Sequence, residues 1–228
     1  MKKTFAEKAI ELSLLFALVV HVIALLTMAG LLLPGVPGSG LKTVDLRAAY
    51  ISMHPWRWHL GWFPWHLCAL SDLAVSLALL RLQWVPKTLS APTLLLTLIA
   101  AAIEQYFETL WDVLGPHLAS GGGLAYLSFE SRVSLPVSVI AAVLYAVMAM
   151  GWSWCLSRSS TWTRTLTWLS AVTWTLLLLS SSSQLLPPGY RPPTALTDVG
   201  TEVGFVLMAF WFLLTLRAMW RLTRVTDL

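Results

Sequence analysis

Apolar residues in this chain come in long blocks of about twenty, not in the alternating patterns of soluble strands or the stripes of soluble helices. At about 1.5 Å per residue, such a block crosses roughly 30 Å of hydrocarbon as one α-helix. The pattern predicts an all-α integral membrane protein, a single domain over 1–228 formed by a bundle of six transmembrane helices with long outer loops. The predicted spans lie near 10–33, 60–82, 92–112, 134–156, 165–186 and 198–219.

The distribution of the fifteen Lys and Arg residues predicts how these spans are oriented. With a cytoplasmic N-terminus, ten of the fifteen lie in inner segments and five in outer ones. The positive-inside rule then favours both termini in the cytoplasm of a cell-membrane protein. The outer connections, 34–59 and about 113–133, are longer than the inner ones, which indicates that the function lies on the outer face. The outer basic residues are Lys42, Arg47, Arg57, Arg132 and Arg191.

Composition narrows the class of protein further. Hydrophobic residues make up 57% of the chain and charged residues 11%, against roughly 45–50% and about 25% in soluble domains. These values exclude a disordered chain, a small disulfide-rich domain and a soluble enzyme. A net charge of +4 does not indicate nucleic-acid binding, because the basic residues lie between apolar blocks rather than on one face. Cys68 and Cys155 fall near opposite ends of different spans, so no disulfide between them is expected.

The first apolar block has one feature of a cleaved signal peptide, which is the pair Lys2 and Lys3 ahead of it. Glu7 and Glu11 interrupt that positively charged start, and the apolar run of about 22 residues is longer than a signal core. A retained first helix is therefore expected.

The third predicted span carries three acidic residues on one helical face. Glu104, Glu108 and Asp112 are spaced i, i+4 and i+8, after twelve uncharged residues that begin at Pro92. Glu104 then lies about 12 Å below the outer surface, whereas Asp112 reaches the boundary. An ionisable group at such a depth costs about 3 kcal/mol on insertion scales, so Glu104 is a functional-site hypothesis.

Other spans place ionisable groups at similar depths in the outer half. His66 in the second span and Glu202 in the sixth are each expected about 9 Å below the outer surface. The pocket-lining set is extended by Asp198 near the outer boundary, His21 near the middle of the first span and Asp72 about 18 Å deep, past the midplane. Because the inner half is nearly all Leu, Ala and Val, we expect an outward-facing acidic and histidine-lined pocket that binds a small or lipid-like ligand. The alternative is a set of acid–His or acid–Arg pairs that fix helix packing.

The segment 54–66 contains four Trp and three His residues and lies where the outer interface is predicted. Indole rings favour the headgroup level, so an aromatic belt explains the tryptophans. It explains the histidines less well, and a lid over the pocket is the functional alternative.

Two metal-dependent chemistries are compatible with the predicted pocket. Metal-assisted hydrolysis would use His59, His66 and Glu202 as ligands, although the sequence has no HExxH motif. A bis-His haem would use His21 and His66. The residues identify neither metal nor haem, so the cofactor remains unknown at the level of sequence.

Acid–base catalysis on a lipid or isoprenoid is the third chemistry, with Glu104, Glu108 and His66 as catalytic residues. A non-enzymatic role is equally compatible, as a membrane subunit, an assembly factor or a permease for small solutes or ions. The halves with spans 1–3 and 4–6 are unlike each other, which argues against a transporter built on inverted repeats. The lipid bilayer is the predicted partner, and nucleic acid is not.

Overall fold

The computed structural model describes residues 4–37 and 43–222, and all of the regular structure in these ranges is helical. Short π-helical turns follow α1 and join α5 to α6, at Met28–Leu32 and Pro136–Ala141. Turns of 3₁₀ helix lie at Leu33–Gly35, Ser183–Leu185 and Pro188–Tyr190. The α-helices are α1 Phe5–Thr27, α2 Val44–Met53, α3 Pro55–Arg81, α4 Lys87–Ser120, α5 Gly123–Leu135, α6 Ala142–Leu156, α7 Arg164–Ser182 and α8 Thr194–Leu222.

Threonine side chains begin three of these helices. The Thr4 hydroxyl accepts a hydrogen bond from the backbone N–H of Glu7, and the Glu7 carboxylate accepts one from the N–H of Thr4, which is a complete capping box. Thr43 caps α2 and Thr163 caps α7 in the same way. Glu7, an unusual residue for the start of an apolar segment, is therefore explained by helix capping.

Within the described ranges, five helical segments are long and apolar enough to cross a membrane. An all-α membrane protein is thus confirmed at this level. The helix α7 corresponds to the predicted fifth span but is shorter, with 19 residues rich in Ser, Thr and Trp, and it is not among the five. The five segments are Phe5–Gly35, Pro55–Arg81, Lys87–Ser120, Gly123–Leu156 and Thr194–Arg221.

The two connections that were expected to be long loops are largely helical, which corrects the predicted boundaries. The first contains α2 and the first turn of α3. In the second, α4 continues to Ser120 and α5 begins at Gly123, because the helix is interrupted only at the glycine run, where Gly122 has a φ of 97°. The part of the chain at this end is therefore folded, and its helices α2 and α5 are called here the α2–α5 cap, although α5 is also the first part of the segment Gly123–Leu156.

Six helices pack in a ring whose neighbours are α1, α3, α4, α6, α7 and α8, and α8 closes the ring against α1. The half of the ring away from the α2–α5 cap has a large apolar core. Buried indole rings donate hydrogen bonds across it, from Trp152 to Ser76 and from Trp211 to Ser170. Trp152 and Trp174, which an aromatic belt would place at the membrane boundary, are instead core residues.

A second apolar cluster joins the α2–α5 cap to the ring. Trp58 and Trp62 of α3 pack edge-on or tilted against Trp111 of α4. The Trp58 indole donates to the backbone carbonyl of Trp111, whose own indole donates to the Tyr126 hydroxyl on α5. Gly115 lies against Trp58, where a larger residue would press on the indole nitrogen.

Candidate functional site

Three carboxyl groups are buried near one another on α3 and α4. Asp72 of α3 is 6% exposed, and Glu104 and Glu108 of α4 are 9% and 1% exposed. Asp72 interacts electrostatically with Glu104, and Glu104 with Glu108. The structure therefore brings together the two predicted catalytic acids with Asp72, from the pocket-lining set. We call Asp72, Glu104 and Glu108 the acid cluster.

Asp72 faces α1 through His21. The Nδ1 atom of His21 lies 2.8 Å from the carbonyl oxygen of Ala17, and a carbonyl oxygen only accepts, so Nδ1 carries a hydrogen. The other ring nitrogen, Nε2, lies 3.8 Å from Asp72 Oδ1. Within the described ranges Asp72 Oδ1 has no hydrogen-bond partner. Two acceptor atoms thus face each other in a buried place, unless a proton is bound at one of them.

Glu104 is bound from α6. The Tyr145 hydroxyl donates a hydrogen bond to Glu104 Oε2, which connects α4 to α6 across the ring. Tyr145 was missed at the level of sequence, since a lone tyrosine in an apolar span carries no motif. Its one signal is a phenol group at a depth where hydroxyl groups need a partner.

Glu108 and His66 meet on the contact between α3 and α4. His66 Nδ1 lies 3.0 Å from Gln105 Oε1 and 3.6 Å from Glu108 Oε2. The first distance is a hydrogen bond to the amide oxygen, and the second is close enough for an ion pair but not for a hydrogen bond. Gln105 is the second residue of the site that no sequence pattern singles out.

A second histidine–acid pair lies on the contact between α3 and α4, at the end next to the α2–α5 cap. His59 Nδ1 lies 2.7 Å from Asp112 Oδ1, and the His59 side chain is 50% exposed. His59 and His66 are seven residues apart and both reach α4, so each forms a rung about 10 Å from the other along α3. We call these two pairs the histidine rungs.

Buried polar atoms without a hydrogen-bond partner are concentrated on the two helices α3 and α4. Among the described residues, seven such side-chain atoms are found, and five of them belong to α3 or α4. Because an unpaired buried polar atom costs about 1–3 kcal/mol, a cluster of them marks a place that binds something polar. The five are Trp62 Nε1, Trp65 Nε1, Asp72 Oδ1, Gln105 Nε2 and Glu108 Oε2.

Two of the residues assigned to the predicted pocket lie elsewhere. Asp198 and Glu202 are exposed on α8. That helix packs on α7 through Gly200, which contacts Ser180, and Gly204, which contacts Leu177. Gly200 and Gly204 form a GxxxG pattern, which serves helix packing. The two acids are separate from the acid cluster.

The proposed metal ligands are also divided. His59 pairs with Asp112, His66 with Gln105, and Glu202 lies on the exposed face of α8. In residues 4–37 and 43–222, no group of three His, Cys, Asp or Glu side chains is arranged to hold a metal ion. His21 packs its ring on Phe212 with 5.1 Å between ring centroids. Cys68 and Cys155, in the same ranges, are free and buried.

An open apolar groove of about 420 Å³ lies between α7 and α8, not at the acid cluster. Leucine, valine and proline side chains form most of its wall, with Ser180 and Ser183 at one side. The acids and histidines of the predicted pocket are not part of that wall. The groove and the acid cluster are therefore separate places in the bundle.

The histidine- and tryptophan-rich segment 54–66 is a helical part of this site rather than a separate lid. It forms the first three turns of α3, where Trp58 and Trp62 are buried and Trp56 is exposed. His59 and His66 turn toward α4.

Comparison of the sequence with protein-family models and with curated proteins, and of the fold with solved structures, finds no match.

Proposed function

We propose that this chain is a cell-membrane protein whose buried acid cluster and histidines bind and release protons during work on a small or lipid-like ligand. Proton binding is the part of this function that the geometry supports most strongly. Chains of Asp, Glu and His inside membrane bundles are typical of proton relays.

The observation that carries the proposal is the pair His21 and Asp72. With its Nδ1 hydrogen committed to the Ala17 carbonyl, a neutral His21 presents a bare Nε2 to the bare Oδ1 of Asp72. One added proton changes this repulsive arrangement into an attractive one, whether it sits on the ring or on the carboxyl group. A buried acid–base pair that needs one proton is a proton-binding site.

The choice of a proton over a metal ion follows from the shape of the site. A metal ion needs three or more donors that converge on one point. Here the acidic side chains have different partners on different helices, with His21 beside Asp72, Tyr145 beside Glu104 and His66 beside Glu108. A proton needs only one donor and one acceptor at each step, which suits such a chain of pairs.

The proposal includes a topology. We propose that α7 is a sixth span and that both termini are cytoplasmic, with the α2–α5 cap on the outer face. The ring supports a sixth span, because α7 packs along α6 and α8, both of which belong to membrane-spanning segments. The ten-to-five distribution of basic residues supports the orientation.

A second candidate function is acid–base catalysis on a lipid-like substrate. The observation that favours it is the hydrogen bond from Tyr145 to Glu104, which pairs a phenol with a carboxyl group on two facing helices. Such a pair can take a proton from one carbon and return it to another. Both functions need a buried group that exchanges protons, so the first experiment addresses that property.

Infrared spectroscopy of the full chain in lipid nanodiscs tests the proposal. We expect the difference spectrum between acid and alkaline pH to contain the bands of the buried carboxyl–imidazole pair. Asp72→Asn removes them, since the asparagine amide donates to His21 Nε2 without an added proton and keeps the shape of the site. The matched control is Asp198→Asn, which changes an exposed acid on α8 and should keep the bands. Loss of the same bands in both variants, or their absence from the unmodified chain, would refute proton binding.

A further inference from the structure

We infer that His66 is the proton donor that delivers protons from the cap end of the α3–α4 contact to Glu108. Gln105 holds the His66 ring in its resting position between deliveries. This inference rests on the proposed function, because it requires that the buried acids bind protons. It adds the residue and the route by which the protons arrive.

The His66 ring has one N–H and two acceptors within reach. Nδ1 is hydrogen-bonded to Gln105 Oε1 at 3.0 Å, and Glu108 Oε2 lies only 0.6 Å farther from it, at 3.6 Å. Glu108 Oε2 is buried and, within the described residues, has no hydrogen-bond partner. A small rotation of the ring therefore moves the Nδ1 hydrogen bond from the neutral amide of Gln105 to the carboxyl group of Glu108.

Exposure distinguishes His66 from the acid that it serves. The His66 side chain is 23% exposed, whereas that of Glu108 is 1% exposed. Glu108 thus needs an intermediary, and His66 is the partly exposed titratable side chain beside it. The other titratable groups that act on Glu108 are Glu104 and Asp112 from its own helix, together with Cys68 of α3 and Tyr145 of α6.

The first rung gives the direction of entry. His59 and Asp112 form an exposed pair at the cap end of the same contact. An acidic and a basic side chain at this position can bind protons that enter there. Beyond Asp72 in the opposite direction, Val75 and Leu79 are fully buried in the apolar core. The Ser76 and Thr97 hydroxyl groups are also hydrogen-bonded to each other there. The route is consequently open at the cap end and closed by core packing at the other.

Protons and charge are conserved in the transfer. His66 in its imidazolium form donates the Nδ1 proton to a lone pair of Glu108 Oε2, and the charges on the two side chains cancel. The products are a neutral imidazole with hydrogen on Nε2 and a neutral carboxylic acid. A hydronium ion that enters at the cap end then protonates the bare Nδ1 and is left as water, and the ring turns back to donate from Nδ1 to Gln105 Oε1.

The experiment is a rapid drop in pH, followed by time-resolved infrared detection of the buried carboxyl band in nanodiscs that contain the full chain. We expect His66→Gln to slow protonation at least about tenfold, since a positioned histidine contributes about 10²–10⁴-fold to proton transfer. The final amplitude of the band should stay unchanged. His117→Gln, which changes an exposed histidine of α4, is the matched control and should keep the original rate.

Two further variants separate a proton donor from a residue that only packs. Imidazole added to His66→Ala should restore the rate, because it replaces the missing base without restoring the side chain. Gln105→Leu should keep or raise the rate, because it removes the competing acceptor. An unchanged rate in His66→Gln, a failure of imidazole to rescue, or a slower Gln105→Leu would each overturn the inference. These outcomes leave the carboxyl band itself intact, whereas failure of proton binding abolishes the band in the unmodified chain.

Discussion

At the scale of single residues, the buried ion pair between Arg47 of α2 and Glu130 of α5 joins the two helices of the α2–α5 cap. Arg47 donates from Nε to Glu130 Oε1 at 3.0 Å and from a terminal nitrogen to Oε2 at 2.5 Å. Both residues are buried, at 8% and 3% exposure. A two-point guanidinium–carboxylate contact fixes the angle between the helices as well as their distance.

We predict that breaking this pair from one side destabilises the protein by about 3–5 kcal/mol, because it leaves one charge buried without a counter-charge. Glu130→Gln is the test, with the free energy of unfolding measured by tryptophan fluorescence in denaturing detergent. The double variant Arg47→Met with Glu130→Leu should recover most of that loss. Arg57→Met is the control, since Arg57 stacks on Trp56 and contributes about 1 kcal/mol or less. A double variant no more stable than Glu130→Gln would contradict the argument.

The acids of α4 and α8 show which parts of the site could be predicted from the sequence. Glu104 and Glu108 share a helical face, so their spacing alone predicts that they lie together, and they do. Glu202 has the same predicted depth, but it lies on another helix. Depth does not tell which way a helix is turned, and that rotation depends on the packing of Gly200 and Gly204 on α7. Tyr145 and Gln105 were missed for the same reason, since their roles arise from contacts between helices.

At the scale of elements, α7 is the helix whose span across the membrane has to be tested by experiment. Its 19 residues span about 28 Å, which is just enough for a membrane, and its serines and threonines lower its hydropathy. Several of them are satisfied inside the bundle. Ser170 donates to the carbonyl of Leu166 and accepts from the Trp211 indole. Polar residues that are paired within the ring do not oppose membrane insertion as strongly as their hydropathy suggests.

We predict that the two ends of α7 lie on opposite sides of the membrane. Single cysteines replace Ser160, before α7, and Gly189, after it, both of which are exposed. A membrane-impermeant maleimide should label Gly189→Cys in intact cells and Ser160→Cys only after the cells are permeabilised. The native Cys68 and Cys155 are buried and provide the background. Labelling of both positions from the same side would remove the sixth span.

The elements themselves were predictable where apolar length decides them. Five of the predicted spans correspond to segments that are long and apolar enough to cross a membrane. The loops were not predictable in the same way, because α2 and α5 have mixed composition and pack on Trp58 and Trp111 of the ring. A sequence pattern indicates insertion of a helix into lipid more directly than packing of a helix within the α2–α5 cap.

At the scale of the whole molecule, the polar groups follow one another along α3 and α4 through a ring that is otherwise apolar, and this series is the proposed proton path. The path starts at the exposed rung of His59 and passes His66 and Glu108. It continues by electrostatic contact from Glu108 to Glu104 and from Glu104 to Asp72. It ends in the apolar core. A path with one open end suits proton delivery to a fixed site better than conduction through the membrane.

Glu104 occupies the middle of this path, so its substitution tests the molecule as a whole. We predict that Glu104→Gln changes the free energy of unfolding by less than about 1 kcal/mol, because the amide oxygen still accepts the Tyr145 hydrogen bond. Glu104→Leu should cost about 1–3 kcal/mol, since it leaves the Tyr145 hydroxyl unpaired. Both variants should slow protonation of Asp72 after a drop in pH, while protonation of Glu108 keeps its rate. The measurement is the same infrared experiment, combined with unfolding in denaturing detergent. If Glu104→Gln leaves the rate at Asp72 unchanged and Glu104→Leu only lowers stability, Glu104 is a packing contact and the acid cluster is not a path.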